Sequence, residues 1–160
     1  MRRELARRAE KAGIAGRIHF RAWVEDEELP AYYHACDMLV LPSVARTEAF
    51  GLVLLEAQAC GKPTVSTELG TGTSYANLDG VTGFVVPPGD SSSLASAINR
   101  LLESEALRSE MGARARERVR SEFGIDAMVE KVAEVYAEVL EERAIRGRGA
   151  RPEGEQRLHA

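Results

Sequence analysis

The chain has 160 residues, room for one domain but not for two full α/β domains. Hydrophobic residues make up 44% and charged residues 29%, as in soluble globular proteins, and no apolar run approaches the ~18 residues a membrane span needs. The net charge of −4 argues against a nucleic-acid binder held by phosphate contacts. Two distant cysteines, Cys36 and Cys60, rule out a disulfide scaffold and point to a reducing cytoplasm.

The N-terminal stretch MRRELARRAEKAG has no apolar stretch suited to secretion and reads as an amphipathic surface helix closed by Gly13. From residue 14 onward, short apolar or β-branched runs alternate with helical patterns. Residues 17–20 read as a short strand. A helix over 27–35, capped by Asp26, tolerates Pro30 in its first turn. Residues 38–41 form a continuous apolar run, the pattern of a strand buried on both faces. After a loop over 42–50, residues 51–60 are helical, and Gly61-Lys62-Pro63 stops them.

Residues 64–67 read as the next strand, 70–80 as a glycine-rich loop with a helical turn near 74–78, and 83–86 as another buried strand. Asp90, or one of the serines 91–93, caps a helix with the stripe Leu94, Ile98, Leu101, Leu102. A second helix carries Leu107, Met111, Ala115 and Val119. A third starts near Asp126, with Ile125, Met128, Val132, Tyr136, Val139 and Leu140 at helical spacing, as core or docking surface. Strands alternating with helices give an α/β fold, a parallel Rossmann-like sheet with helices on both faces. The expected division is one α/β domain over 1–142 and a disordered tail over 143–160, rich in glycine and arginine.

Ligands of such sheets bind at the carboxyl ends of strands, which directs attention to the loop PSVARTEAFGLVLLEAQACGKP. It enters its helix through Gly51, with Glu48 just before the turn and Glu56 inside the helix. The unpaired N–H groups of a helix N-terminus favour a phosphate, and Gly51 lets an anion approach the backbone. A carboxylate beside that anion is useful only for hydroxyls, so the pattern suits a ligand that combines diphosphate with polyols. On spacing alone, a helix cap at Glu48 and an ordinary helical charge at Glu56 stand beside that reading. The histidines His19, His34 and His159 have no second ligand at a metal-binding spacing.

This stretch resembles the donor-binding half of the group 1 glycosyltransferases, retaining enzymes of the two-domain GT-B fold with an E-x7-E signature. The chain supplies Pro42, Ser43, Glu48, Phe50, Gly51, Glu56, Ala57, Ala59, Cys60, Gly61 and Pro63. The segment IHFRAWVEDEELPAYYHACDMLVLPS is similar to the family's base-binding loop, helix and strand, and GVTGFVVPPGDSSSLASAINRLL to its later strand, turn and helix. The resemblance implies that Glu48 contacts donor-sugar hydroxyls near the reacting centre and that Phe50, Gly51 and Leu52 hold the distal phosphate by their backbone. It further implies that Glu56 binds the ribose and that the loop 21–24, with Trp23 and Val24, lines the base. It implies no metal and no cofactor; the partner is a nucleoside-diphosphate sugar.

Two departures from the family pattern follow. The chain opens inside the donor domain, so the first strands, a phosphate-neutralising Arg/Lys pair and the acceptor domain are expected to lie outside it. No efficient turnover is expected without them, because a diphosphate leaving group needs positive charge and an acceptor needs orientation. Only Arg46 and Lys62 lie near the expected phosphate site in sequence, Lys62 at the wrong end of the helix. Where relatives carry G-G-x-x-E, this chain has Gly70-Thr71-Gly72-Thr73-Ser74, so hydroxyls and N–H groups around Thr71 and Gly72 replace an acid in donor binding. The leading expectation is transfer of a hexose from a nucleoside diphosphate with retention. A non-catalytic nucleotide-binding remnant or subunit is the alternative, and an epimerase of the same fold is disfavoured by the E-x7-E context. A separate acceptor-domain chain, or self-association through an exposed sheet edge, completes the expected partners, with a membrane surface reached only through the missing half.

Overall fold

Runs of apolar and β-branched residues build the sheet, and the connections between them are long enough for parallel crossovers. The computed structural model describes residues 2–149 and the side chains of 2–143. Strands β1 (Leu39–Leu41), β2 (Thr64–Thr67) and β3 (Gly83–Val86) lie in the order β1-β2-β3, all parallel. Leu39 stands opposite Thr64, which in turn stands opposite Gly83. Helices α1 (Arg2–Lys11) and α2 (Leu29–Ala35) precede the sheet; α3 (Leu52–Ala59) and α4 (Thr73–Ala76) make the crossovers. Three helices follow: α5 (Ser91–Glu103), α6 (Glu105–Glu122) and α7 (Ile125–Gly149).

The two faces of the sheet are stabilised differently. On one, Val65, Phe84 and Val86 pack against Ala97 and Leu101 of α5 and Met111 of α6. Burial of such side chains contributes about 1.5–3 kcal/mol each. The other face presents buried hydroxyls. The Gln58 Nε2 group of α3 donates to Thr64 Oγ1 and to the Ala76 carbonyl, each at 3.1 Å. Asn77 Nδ2 donates to Ser66 Oγ (2.9 Å) and the Phe84 carbonyl (3.0 Å), while its Oδ1 accepts from the Thr82 hydroxyl at 3.0 Å. These bonds fix one arrangement of α3 and α4 on the sheet, and of the cluster's side-chain atoms Gln58 Oε1 is left without a partner among the described residues.

Several sequence expectations change. β1 is only part-buried, because it forms an edge of the described sheet and not its centre. Residues 17–20 form no strand: a single 3₁₀ turn ends at Arg17 and the chain then runs without a strand partner, since no described strand lies on the outer side of β1 to supply a ladder. Asp26 does not cap α2; the helix begins after Glu28, with Pro30 in its first turn. Asp90 does cap α5, its Oδ1 accepting from the N–H groups of Ser92 and Ser93 at 3.0 Å. Helix α7 runs on to Gly149, into the segment 143–160 read from the sequence as a tail. The remainder of that segment, with His159, lies outside the described residues. The apolar stripe of α7 is largely uncovered, with Ile125 77% and Tyr136 68% exposed.

Candidate functional site

Because β1 and β2 are parallel neighbours, the loops that follow them leave the sheet at the same end. Side chains and backbone stitch those loops together. The Thr67 hydroxyl donates to the Ser43 carbonyl, and Arg46 Nη2 to the Gly70 carbonyl at 3.2 Å. The Thr71 hydroxyl donates to the Glu48 carbonyl at 2.9 Å, and the Gly72 N–H to the Ala49 carbonyl at 2.8 Å. A Cβ at position 72 would stand 2.5 Å from Phe50 Cδ2 and 2.9 Å from the Ala49 oxygen, so a glycine is required for this approach.

Gly51 is the N-cap of α3 and adopts a left-handed conformation (φ 79°) that residues with a Cβ adopt only under strain. No side chain caps this helix. Glu48 is therefore not its cap, and the N–H groups of Gly51, Leu52 and Val53 have no acceptor among the described residues. These open donors, with the partial positive charge of the helix end, suit a phosphate. Glu48, in the loop that leads into this helix start, is part-buried, and its carboxylate has no hydrogen-bond or ion-pair partner among the described residues.

Phe50 is held from behind. Its ring lies 6.4 Å from that of Tyr75 and 6.3 Å from that of Phe123, which are 5.5 Å apart. The Arg118 guanidinium stands 4.9 Å from the Phe123 ring centre, donates to the Tyr75 and Ala76 carbonyls at 2.9 and 3.1 Å, and pairs with Glu122 at 3.1 Å. A groove of about 760 Å³ opens beside this cluster, lined by Phe50, Leu52, Tyr75, Phe123, Met128 and Val132 among others. Its walls are chiefly apolar, so a diphosphate belongs at the helix end and not here.

Glu56 is exposed on the same helix, and its Oε2 accepts from the Tyr33 hydroxyl of α2 at 2.7 Å. Burial, then this bond to Glu56, pushes the Tyr33 phenol well above its usual range. Glu68, after β2, accepts from the Gly70 N–H and the Ser74 hydroxyl at 2.8 Å; those bonds hold its carboxyl below the usual range.

The structure thus brings Glu48, Phe50, Gly51, Leu52, Thr71 and Gly72 together, with Glu56 further along α3. Trp23 and Val24 lie in an irregular loop, Trp23 75% exposed, and no hydrogen bond or ring contact among the described residues joins either to the cluster. The Thr71 hydroxyl, expected to face substrate, is already donated to Glu48. Lys62 is remote from the helix start, its Nζ donating to the His34 carbonyl at 2.9 Å. Among the described residues, no group of three or more His, Cys, Asp or Glu side chains is placed to hold a metal, and no helix is long and apolar enough to cross a membrane. Sequence reasoning missed Tyr33 and Arg118. Nothing separates Tyr33 from Tyr32 by spacing, and Arg118 is one of several arginines along α6.

The family profile described as "Glycosyl transferases group 1" matches residues 1–118. The chain is 36% identical over 141 residues to O-antigen chain mannosyltransferase C of Escherichia coli, covering 88% of this chain and 38% of that protein. It is 42% identical over 120 residues to the D-rhamnosyltransferase WbpZ of Pseudomonas aeruginosa, covering 75% and 31%. The chain therefore spans about a third of these relatives. Among solved structures, HepE of Anabaena in complex with UDP-glucose superposes with a TM-score of 0.75 at 29% identity, over 85% of this chain and 36% of that one.

Proposed function

The chain belongs to the group 1 glycosyltransferases, and from that premise we propose that it forms the donor-binding part of an enzyme that moves a hexose from a nucleoside diphosphate to a glycan, lipid or small acceptor. One observation carries the reading: the N–H groups at the start of α3 are open, and the loop that leads into them holds Glu48, whose carboxylate has no partner among the described residues. The backbone of Phe50, Gly51 and Leu52 receives the distal phosphate, and Glu48 receives hydroxyls of the sugar. Thr71 and Gly72 shape the sugar side of the site. Glu56 takes the ribose, and Trp23 and Val24 line the base. HepE, a structural relative, is bound to UDP-glucose, which supports a donor of this class. The names of the two curated relatives support a sugar of manno configuration, since D-rhamnose is the 6-deoxy counterpart of D-mannose.

The reaction is a front-face displacement with retention. The bond from the anomeric carbon to the diphosphate oxygen breaks while the acceptor oxygen bonds on the same face, and the acceptor proton passes to the departing phosphate. Dipoles at the start of α3 stabilise part of the charge that develops there. The proposed step calls for no metal. Arg46 is the one basic side chain in the stitched loops, and it is bonded to Gly70. Efficient turnover therefore depends on a counterpart that binds the acceptor and adds positive charge. A second reading, a nucleotide-binding subunit without activity of its own, is favoured by the tie of Arg46 to the Gly70 carbonyl, which occupies the one basic side chain of the two loops.

A thermal-unfolding panel with UDP, GDP, ADP and dTDP tests the binding role. At about 100 times Kd, a ligand adds about 2.7 kcal/mol, enough to raise the midpoint by several degrees. A cooperative transition raised by one nucleotide supports the donor site and names the base. A cooperative transition unmoved by all four overturns it.

A further inference from the structure

We infer that Tyr33 is a positioning residue for nucleotide recognition: its hydroxyl orients the Glu56 carboxylate toward the ribose of the donor. This rests on the ribose role proposed above for Glu56. Glu56 is exposed on α3, and a glutamate in that setting samples many rotamers, which a ligand must freeze out on binding. Here one carboxylate oxygen, Oε2, is already held by Tyr33 at 2.7 Å, while Oε1 has no partner among the described residues. A carboxylate tethered at one oxygen and open at the other is preorganised to accept from a vicinal diol.

The tether is itself fixed. Tyr33 is part-buried on α2, its carbonyl accepts from Cys36 Sγ at 3.2 Å, and the neighbouring His34 carbonyl accepts from Lys62 Nζ at 2.9 Å just beyond the end of α3. The two bonds, Tyr33 to Glu56 and Lys62 to His34, join α2 to α3, so the phenol does not swing with the loop before it. A phenol holds its proton at neutral pH, so this oxygen donates to the carboxylate. Tyr33 need not touch the ligand; it acts through Glu56.

The test is calorimetry on the full chain at pH 7 with UDP and GDP and with their 2′,3′-dideoxy analogues, using the parent protein, Tyr33→Phe, Glu56→Ala and the double variant. Parent protein should prefer a ribonucleotide to its dideoxy analogue by about tenfold or more, the worth of a hydrogen bond to a charged group. Tyr33→Phe should weaken ribonucleotide binding by roughly three- to tenfold and leave the dideoxy analogue within about twofold. In the Glu56→Ala background, Tyr33→Phe should add nothing, because there is no carboxylate left to orient. Equal weakening of both nucleotides by Tyr33→Phe, or full retention of the preference, overturns the positioning role alone. A parent protein that binds neither, or does not distinguish the two, overturns the ribose assignment of Glu56 and the inference with it.

Discussion

The Thr71 hydroxyl donates to the Glu48 carbonyl across 2.9 Å, so a residue after one strand fixes the backbone of the carboxylate after its neighbour. The bond uses the main chain of Glu48 and leaves the carboxylate open to a ligand. The Gly72 N–H, donating to Ala49, repeats the connection one residue on. The loop after β2 thus fixes the main chain of Glu48, and a hydroxyl in that loop serves as scaffold for the residue that bears the carboxylate.

Replacing Thr71 with valine keeps the shape and removes the donor. The Glu48 carbonyl loses its partner in a part-buried site, so stability should fall by about 1–2 kcal/mol. The preference for a nucleotide-sugar over the free nucleotide should narrow as the Glu48 backbone relaxes. Denaturant melts with paired calorimetric titrations of UDP-glucose and UDP, and of GDP-mannose and GDP, measure both. An unchanged melt and an unchanged preference would deny the bond any part in the site.

Glu48→Ala separates the sugar from the nucleotide. If the carboxylate meets donor hydroxyls, the variant should bind the nucleoside diphosphate within about twofold of the parent but lose roughly tenfold or more in affinity for the nucleotide-sugar. In the enzyme completed by its acceptor-binding counterpart, transfer should be abolished. Equal transfer by the variant would sink the assignment.

The elements of the sheet were legible in the sequence wherever local pattern and tertiary partner agreed. Residues 64–67 and 83–86 are strands because their apolar and β-branched side chains have neighbours on each side or beneath. Residues 17–20 have the same local character but no adjacent strand, and a ladder cannot form alone. At the site, Glu48, Gly51 and Glu56 were readable because helix ends and glycine conformations are local properties. Tyr33 was not, since its meeting with Glu56 depends on how α2 packs against α3 across 23 positions of sequence. Helix α7 outlasted its apolar pattern for another reason: residues after 142 include arginine, a good helix former, and a propagating helix adds residues cheaply.

Asn77 is the polar centre of the α4 side of the sheet, fully buried and bonded to Ser66, Thr82 and the Phe84 carbonyl. Asn77→Ala would remove these bonds together in a site closed to solvent, while the Thr82 hydroxyl keeps its bond from the Leu78 N–H. The expected loss is about 2–4 kcal/mol, several times that of an exposed substitution. Urea unfolding of the variant measures it; a loss under about 0.5 kcal/mol would mean that water replaces the amide.

Glu68 gives the loop an acid limit. Its carboxyl lies below the ordinary 4.5 because Gly70 and Ser74 donate to the charged form. A group with a depressed folded pKa contributes stability above its unfolded pKa, and that contribution is lost as pH falls through the folded value. The loop over 68–74 should therefore hold at neutral pH and open in acid. The Gly70 amide resonance should titrate with a midpoint below 4.5, and Glu68→Gln should remove the titration. A midpoint at or above the ordinary value would show that the two bonds are absent in solution.

Helix α7 should be the first long element to open. Its apolar residues have little to pack on: Met128 and Val129 are each 56% exposed, Val135 is 58% exposed and Leu140 is 64% exposed. Lys131 reaches back to the Glu122 carbonyl at 3.4 Å, a weak tie at an exposed position. By contrast, all four residues of β2 are buried. Opening free energies follow such burial, ranging from near zero to the global value. Hydrogen exchange of the isolated chain should therefore show amides in the middle of α7 protected at least ~100-fold less than those of β2. The difference should not change with protein concentration if the chain is alone. Protection of α7 that matches β2 would mean that another surface covers its apolar face in solution, and the uncovered helix would not be the state that exchanges.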